Sequence, residues 1–224
     1  MERIFSIAID GPAGAGKSTV AKAVASEFGA MYLDTGAMYR AIGLHFLRRN
    51  QISDIPAIVR DVESVSLDVR FTDGVQRMFL GGEDVTAAIR TPEASMAASD
   101  VGKIPEVRAH LVRLQQNIAQ GVSVVMDGRD IGTKVLPNAT LKLYLTATAE
   151  VRAIRRYNEM RGKGEMPVYH EVLDDIVLRD YNDSHRDASP LVCAEDAVRM
   201  DTSYMTVTQT VESIRILLEE RLQG

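Results

Sequence analysis

Residues 11–18 of this 224-residue chain read Gly-Pro-Ala-Gly-Ala-Gly-Lys-Ser. They follow a short, β-branched apolar run at residues 4–9, which is typical of a buried strand. They lead into an alanine-rich segment at residues 17–28, which has helical composition and is stopped by Gly29. A G-x-x-x-x-G-K-S pattern between a strand and a helix is a phosphate-binding P-loop. The sequence therefore predicts a nucleotide site where the first strand ends.

The chemistry of a P-loop assigns roles to its residues. Glycines let backbone N–H groups wrap around phosphates, and the helix that follows adds the favourable dipole of its N-terminus. We expect Lys17 to reach the β- and γ-phosphates of a nucleotide, and the hydroxyl of Ser18 to ligate Mg²⁺. The residues predicted to bind ATP are Gly11, Pro12, Ala13, Gly14, Ala15, Gly16, Lys17, Ser18 and Thr19.

Strand-like and helix-like segments alternate along the rest of the sequence. Short strands are predicted at residues 31–33, 122–126, 141–145 and 198–200, and helices at residues 35–49, 107–118, 150–161, 169–184 and 207–222. This alternation favours an α/β fold with a parallel sheet flanked by helices. Residues 66–85 differ, because their apolar side chains alternate on both sides of Asp73-Gly74, and they predict a small β insertion. The pair Asp34-Thr35 is predicted to cap the second helix.

Composition and charge exclude several classes of protein. Apolar residues make up 46% of the chain and charged residues 25%, which is ordinary for a globular protein and rules out a disordered or fibrous one. The formal net charge of −5 does not favour nucleic-acid binding, for which a basic face is expected. No apolar run is long enough to span a membrane and residues 1–4 show no export signal, so we expect a cytoplasmic protein without a membrane partner.

The chain is rich in arginine and has a single cysteine. Arginine supplies 20 of the 26 cations, and its planar guanidinium suits two-point binding of phosphate. At this stage the arginine excess is explained equally well by genomic composition. Cys193 is the only cysteine, which excludes an internal disulfide, and we expect it to be a buried apolar thiol.

The P-loop indicates a nucleotide but does not name the reaction. The guanine-reading N-K-x-D segment of a regulatory GTPase is absent from the sequence, and a large mechanical ATPase would need a longer chain. Phosphoryl transfer to a small molecule is therefore the favoured reaction.

Four motifs together resemble those of bacterial-type cytidylate kinases. After the P-loop come Leu-Asp-Thr-Gly-Ala-Met-Tyr-Arg at residues 33–40, Met-Asp-Gly-Arg-Asp-Ile-Gly-Thr at 126–133 and Arg-Asp-Tyr-Asn-Asp-Ser-His-Arg at 179–186, in that family's order. The resemblance extends from about residue 4 to residue 222, and the β insertion resembles the family's enlarged acceptor-binding region. Ser18 stands where some members carry glycine, which makes a side-chain contact with Mg²⁺ available here.

The resemblance implies roles for individual residues. Arg40 and Arg129 correspond to residues that hold the phosphate of the acceptor, and Arg179 and Asp183 to residues that contact its pentose. The residues implied to read cytosine are Ser99, Arg108, Asp130 and Arg186, and Thr35 is a further implied contact with the acceptor. The implied catalytic residues are Lys17, Arg129, Arg152 and Arg156. Arg152, Arg155, Arg156 and Arg161 bracket what resembles a mobile lid that closes over the phosphates.

The resemblance also implies an organisation and an activity. Residues 1–224 would form a single P-loop kinase domain, with an acceptor-binding insertion at about residues 36–105 and a lid at about residues 157–170. The implied reaction transfers the γ-phosphoryl group of ATP to CMP or dCMP with Mg²⁺ as cofactor, in a monomer with no nucleic-acid partner. The alternatives are a kinase of the same fold for UMP, AMP or a small hydroxy acid, and a P-loop switch protein without an acceptor.

Overall fold

The computed structural model describes residues 4–72 and 74–223. In chain order the strands are β1 (Ser6–Asp10), β2 (Met31–Asp34), β3 (Leu67–Thr72), β4 (Val75–Leu80), β5 (Glu83–Asp84), β6 (Val124–Gly128), β7 (Leu141–Thr146) and β8 (Val198–Asp201). The α-helices are α1 (Lys17–Glu27), α2 (Thr35–Arg48), α3 (Ile55–Asp61), α4 (Pro92–Val101), α5 (Pro105–Ile118), α6 (Ala149–Gly162), α7 (Tyr169–His185) and α8 (Val207–Gln223).

These elements form two compact units. The first unit contains the described residues of Met1–Ala30 and Ser123–Gly224, and the second is Met31–Val122. The first unit therefore holds the P-loop and the 126–133 and 179–186 motifs, whereas the second holds the 33–40 motif.

A parallel sheet forms the centre of the first unit. β1 pairs with β6 on one side and with β7 on the other, and β7 pairs in turn with β8, all in parallel. β1, β6 and β7 are apolar and almost fully buried, as expected for strands covered on both faces. α1 packs against β6 and against α8, and α6 packs against α7. The predicted α/β fold with a parallel sheet flanked by helices is confirmed.

The second unit combines helices with a small antiparallel sheet. β3 pairs with β4, and β4 with β5, all antiparallel, so the predicted β insertion at residues 66–85 is confirmed. Asp73, in the predicted turn, lies outside the described residues. α2 and α4 approach each other closely at Gly43. A Cβ atom built on this glycine would lie only 2.8 Å from the carbonyl carbon of Ala97. Only glycine permits this contact, which fixes the two helices against each other.

Some local structure differs from the expectation. α3 and α4 were not predicted, although Asp54 and Thr91 cap them by accepting hydrogen bonds from the N–H groups of Ala57 and Ala94. Cys193 is exposed, so the expectation of a buried thiol is wrong: the cysteine lies in the irregular segment that precedes β8, where its neighbours do not cover it.

No helix within residues 4–72 and 74–223 has the length and apolar character needed to cross a membrane.

Candidate active site

The P-loop connects the carboxyl end of β1 to the first residue of α1. Gly11 has φ 147°, and a Cβ there would collide with the carbonyl oxygen of Leu145 on β7. Gly14 and Gly16 also have positive φ angles, of 75° and 86°, which L side chains rarely adopt. The positive φ angles and the close approach to β7 therefore favour glycine at these positions, and the loop leads directly into the N-terminus of α1.

Lys17 lies at the centre of a buried charge cluster. Its side chain is almost fully buried, and Nζ donates a hydrogen bond of 2.7 Å to the carbonyl oxygen of Pro12. Burial and the positive charge of Arg129 lower the pKa of Lys17 well below its ordinary value, and Arg179 acts in the same direction. Asp127 and Asp183 oppose this shift but do not cancel it. An anion such as phosphate beside Lys17 would counter this shift, because a nearby negative charge favours the ammonium form.

Ser18 and Asp127 bring two oxygens together beside the loop. The exposed Ser18 is the second residue of α1, and its Oγ donates a hydrogen bond of 2.8 Å to Oδ2 of Asp127 on β6. A hydroxyl and a carboxylate are hard oxygen donors of the kind that Mg²⁺ prefers. Within the described part of the chain, no group of three or more His, Cys, Asp or Glu side chains could hold a metal ion. The pair thus fits Mg²⁺ held chiefly by the phosphates of a nucleotide, and not an all-protein metal cage.

Asp183 on α7 joins two of the predicted arginines. Its Oδ2 accepts a hydrogen bond of 2.7 Å from Nε of Arg129, and NH1 of Arg186 lies 3.9 Å from Oδ1. Nε of Arg186 also donates to the carbonyl oxygen of Ser189 at 2.7 Å. Burial would raise the pKa of Asp183, but Arg129, Arg179 and Arg186 outweigh it and hold that pKa below its ordinary value. Asp183 is therefore a carboxylate that orients the surrounding guanidiniums.

Asp10 supports the segment that carries Arg129 and Asp130. Its two carboxylate oxygens each accept a hydrogen bond of 2.8 Å, one from the N–H of Ile131 and one from the N–H of Gly132. Residues 131–135 form a single π-helical turn, which was not predicted. Asp10 is the last residue of β1, so it fixes this turn to the start of the P-loop. Burial raises the pKa of Asp10 to about 6, although the two N–H groups favour its ionised form.

The arginines of α6 occupy different environments. Arg152 is buried: Nε donates to the carbonyl oxygen of Ala147, NH1 donates to that of Ala13 in the P-loop, and NH2 lies 2.6 Å from Oδ2 of Asp180. Arg156 is exposed and pairs with Glu159 on the same helix. Arg152 thus connects α6 to the P-loop, whereas Arg156 lies at the surface of α6.

Two further arginines of this helix have defined contacts. Arg155 donates a hydrogen bond of 2.6 Å to the carbonyl oxygen of Thr202. The hydroxyl of Thr202 in turn donates to the carbonyl oxygen of Ala15 in the P-loop. The guanidinium of Arg161 lies 6.0 Å from the centre of the Tyr157 ring.

The segment between α6 and α7 is exposed, but the two helices share a core. Ala153, Val172 and Ile176 form a buried apolar cluster, and Tyr157 and Tyr169 make an edge-to-face contact at 6.2 Å. In the connecting segment, Gly164 has φ 82° and the Met166 side chain is 97% exposed. The base of this α-helical hairpin is therefore packed around a small core, whereas its tip is uncovered.

In the second unit, Asp34 organises the 33–40 motif. Its Oδ1 accepts from the N–H of Ala37, which confirms the predicted cap of α2. Its Oδ2 accepts from NH2 of Arg40 at 2.9 Å and from NH1 of Arg90 at 3.1 Å. The neighbouring Thr35, the first residue of α2, is buried. Arg40 is thereby held in place, one and a half turns into the helix.

Ser99 lies on α4 and Arg108 on α5, and a hydrogen bond from Arg108 reaches the residue that follows α4. Arg108 is buried on α5, and its NH1 donates a hydrogen bond of 3.1 Å to the carbonyl oxygen of Gly102, just beyond the end of α4. Its guanidinium also lies 5.5 Å from the centre of the Tyr39 ring on α2. Ser99 is half-buried in the last turn of α4. Two residues implied to read a base therefore lie on adjoining helices of one unit.

The structure separates the arginines into two groups. Arg48, Arg60, Arg113 and Arg215 form exposed ion pairs with nearby carboxylates. Of the motif arginines, Arg40, Arg129 and Arg186 are instead half-buried, whereas Arg179 is exposed. Sequence reasoning missed several residues of these clusters, namely Asp10, Gln76, Arg90, Asp180 and Thr202. Only Asp10 gave a signal, since it is the polar residue that ends the first strand.

A parallel sheet, a P-loop at the end of its central strand, the Ser18–Asp127 oxygen pair and buried arginines define a P-loop protein of the kinase type. A model of the family described as cytidylate kinase matches residues 7–220. The chain is 51% identical to the cytidylate kinase of Caldicellulosiruptor bescii, over 94% of this chain and 93% of that one. It is 50% identical to the cytidylate kinase of Caldanaerobacter subterraneus subsp. tengcongensis, over 97% and 96% of the two chains.

Comparison with solved structures agrees on the fold. Shikimate kinase from Bacteroides thetaiotaomicron superposes with a TM-score of 0.51 at 14% identity, covering 97% of this chain and 99% of that one. The chain belongs to the cytidylate kinase family.

Proposed function

We propose that the protein transfers the γ-phosphoryl group of ATP to CMP or dCMP, forming ADP and CDP or dCDP. Membership of the cytidylate kinase family supports this proposal, because the curated relatives described above carry that name. The observation that carries it is the geometry of the P-loop, in which the glycines with positive φ lead into α1 and place the buried Lys17 in a cluster with Arg129, Arg179 and two carboxylates. Such a cluster is suited to the charge of a phosphoryl group in transit.

The acceptor itself explains why the site needs no general base. The second pKa of a phosphate monoester is ~6, so a nucleoside monophosphate presents an ionised oxygen at neutral pH. Catalysis then requires alignment of the two nucleotides and stabilisation of the moving charge. Lys17 and Arg129 supply positive charge, and Arg152 holds the P-loop through its hydrogen bond to Ala13. Arg156, on the exposed face of α6 next to the proposed lid, would join them when the lid closes.

Mg²⁺ is the cofactor that this site fits. When bound, it would neutralise charge on the β- and γ-phosphates of ATP. Ser18 would hold it through its hydroxyl oxygen, and Asp127 would orient that hydroxyl through the hydrogen bond of 2.8 Å. Gly11, Gly14 and Gly16 keep the loop in the conformation that accepts the nucleotide, and the other P-loop residues through Thr19 complete it.

Each unit contributes acceptor-binding residues to this proposal. In the second unit, Arg40 would bind the phosphate, Ser99 and Arg108 would read cytosine, and Thr35 would complete the contacts. In the first unit, Arg129 would bind the phosphate, Arg179 and Asp183 the pentose, and Asp130 and Arg186 the base. Cytosine has an amino donor where uracil has a carbonyl acceptor. Buried donors and acceptors matched to cytosine would be left unpaired by uracil, which penalises the wrong base.

The organisation we propose is a single P-loop kinase domain at residues 1–224. The acceptor-binding insertion, at about residues 36–105, falls within the second compact unit. The lid, at about residues 157–170, includes the exposed tip between α6 and α7, and its closure would exclude water that could otherwise accept the phosphoryl group. We propose a monomer that acts on free nucleotides in the cytoplasm. The net charge of −5 argues against nucleic acid as a partner, and the exposed thiol of Cys193 suits a reducing compartment.

The experiment is a panel of acceptors assayed by coupled release of ADP. Purified protein with ATP and Mg²⁺ is given CMP, dCMP, UMP, AMP, shikimate or no acceptor. We expect strong stimulation by CMP and dCMP and weak stimulation by the others. A preference for another acceptor would replace the substrate while keeping the reaction. Slow ADP release that is indifferent to every acceptor would instead indicate a P-loop switch protein and overturn the proposal.

A further inference from the structure

Two arginines of the second unit converge on one carboxylate oxygen. Oδ2 of Asp34 lies 2.9 Å from NH2 of Arg40 and 3.1 Å from NH1 of Arg90. The other oxygen, Oδ1, is already occupied by the N–H of Ala37. The two guanidiniums therefore share one acceptor atom, and the cluster keeps one positive charge in excess.

The cluster has capacity left for a ligand. Nε of Arg40 is buried and has no hydrogen-bond partner among the described residues. A buried N–H group without a partner costs stability, so its presence in a binding protein points to a ligand that supplies the acceptor. The side chain of Arg90 is 53% exposed, against 18% for Arg40, so part of its guanidinium is accessible. Burial would raise the pKa of Asp34, but Arg40 and Arg90 outweigh it and lower that pKa, which keeps the carboxylate ionised between them.

The position of Asp34 is fixed from three sides. Its backbone N–H donates to Oε1 of Gln76 at 2.7 Å, and its carbonyl oxygen accepts from Nε2 of Gln76 at 3.2 Å. Gln76 belongs to β4 of the inserted sheet, and Arg90 ends a short 3₁₀ turn just before Thr91, the residue that caps α4. The β insertion, α2 and the start of α4 thus meet at this carboxylate, and both guanidiniums are held in place before any ligand arrives.

We propose that Arg90 is a second residue of the acceptor's phosphate site, binding the same phosphate group as Arg40, with Asp34 as the positioning residue for both. The inference rests on the proposed function, in which Arg40 binds that phosphate. A phosphate has several acceptor oxygens and two negative charges, so it can accept from Nε of Arg40 and from Arg90 together. An excess positive charge, a free buried donor and a half-exposed guanidinium at one place all match this ligand.

An ion pair elsewhere in the same unit contrasts with the Asp34 cluster. Arg48 makes two hydrogen bonds with the single carboxylate of Glu83, at 2.8 and 3.0 Å, on an exposed surface. That pair is balanced in charge and has no shared acceptor. Arg48 therefore provides a matched control, because Arg48→Met removes the same charge from the same unit without touching Asp34.

The test measures binding of CMP and of cytidine, which lacks the phosphate, to wild-type protein and to Arg90→Met by NMR titration. We expect Arg90→Met to weaken CMP binding by about 10- to 100-fold, the effect of losing a charge-assisted hydrogen bond, and to leave cytidine binding within about twofold. Arg90→Lys keeps the positive charge but loses the planar guanidinium, so its affinity for CMP should lie between that of Arg90→Met and that of the wild type. Arg48→Met should bind CMP as the wild type does. ATP binding should be unchanged in all variants.

Two results would overturn the inference. Equal weakening of CMP and cytidine would show that Arg90 only supports the frame of the unit, and unchanged CMP binding would show that it has no part in the site. Failure of the proposed function has a different signature, because wild-type protein would then release no additional ADP when CMP is supplied. Wild-type turnover with CMP in the same preparation therefore separates the two failures.

Discussion

The hydroxyl of Ser18 donates a hydrogen bond of 2.8 Å to the carboxylate of Asp127. The two residues are 109 positions apart in the sequence: Ser18 lies at the start of α1, and Asp127 lies near the end of β6. The hydrogen bond therefore joins the helix that follows the P-loop to a strand of the parallel sheet. In the proposed reaction this carboxylate would orient the hydroxyl toward Mg²⁺.

Ser18→Ala should raise the concentration of Mg²⁺ that gives half-maximal activity. The variant loses a hard oxygen ligand and leaves Asp127 without the hydroxyl it accepts from, while the P-loop backbone stays intact. The measurement is a Mg²⁺ titration of CMP-dependent ADP release at fixed ATP. Ser26→Ala, at an exposed position on the same helix, is the control and should behave as wild type. An unchanged Mg²⁺ requirement in Ser18→Ala would remove this serine from the metal site.

Lys17→Ala should lower kcat by ~100-fold or more, which corresponds to ~2.7 kcal/mol of lost transition-state stabilisation. The lysine charge acts most strongly where negative charge develops on the moving phosphoryl group, so kcat should fall more than the affinity for CMP. Lys22→Ala, which removes a charge from the exposed face of the same helix, should retain near-normal turnover. Near-normal turnover in a folded Lys17→Ala variant would refute the assignment of Lys17 to the phosphates.

Arg186→Ala should reduce discrimination between bases. If Arg186 reads cytosine, its loss should shrink the preference for CMP over UMP, in kcat/KM, by ~1–3 kcal/mol. Arg40→Ala is the matched comparison: it should impair CMP and UMP alike, because both share the phosphate that Arg40 is proposed to bind. Binding of ATP without acceptor should change little in either variant. Equal impairment of CMP and UMP by Arg186→Ala would make Arg186 a phosphate or lid residue.

Asp10 should make the free energy of unfolding of the protein decrease as the pH rises. Burial raises the pKa of Asp10 from 3.8 to about 6 in the folded protein. Between these values the folded state holds a proton that the unfolded state has lost, so the free energy of unfolding falls with rising pH. The shift corresponds to about 3 kcal/mol once the pH is above 6.

The measurement is urea unfolding of wild type and Asp10→Asn between pH 4 and pH 7. Asp10→Asn removes the titrating group, so the stability of wild type relative to this variant should decrease across that range. Asp174→Asn, at an exposed position of α7, controls for the loss of one carboxylate. A constant difference between wild type and Asp10→Asn would show that folding does not raise the pKa of Asp10.

The elements with strong local signals were predictable from the sequence. The P-loop, the strands around it and the cap at Asp34 each depend on a few neighbouring residues, and the structure confirms them. The β insertion was predictable because its alternating apolar residues flank a turn. α3 and α4 were missed because they are short and their caps lie in segments without a clear apolar period.

The supporting contacts of the site could not be predicted, because they join distant parts of the chain. Asp10 contacts N–H groups 121 and 122 residues away, and Arg90 reaches Asp34 across 56 residues. Neither contact leaves a local pattern in the sequence. A strand-ending aspartate suggests a polar partner without identifying it, and Arg90 is one of 20 arginines until the fold places it.

The most direct test follows the phosphoryl group itself, with ATP labelled at the γ-position, Mg²⁺ and CMP. The proposed reaction predicts that the label appears in CDP in the same amount as the ADP released, and that Lys17→Ala reduces both together. Little label should reach inorganic phosphate while CMP is present. Label recovered mainly as inorganic phosphate, in amounts that do not depend on CMP, would contradict phosphoryl transfer to the nucleotide.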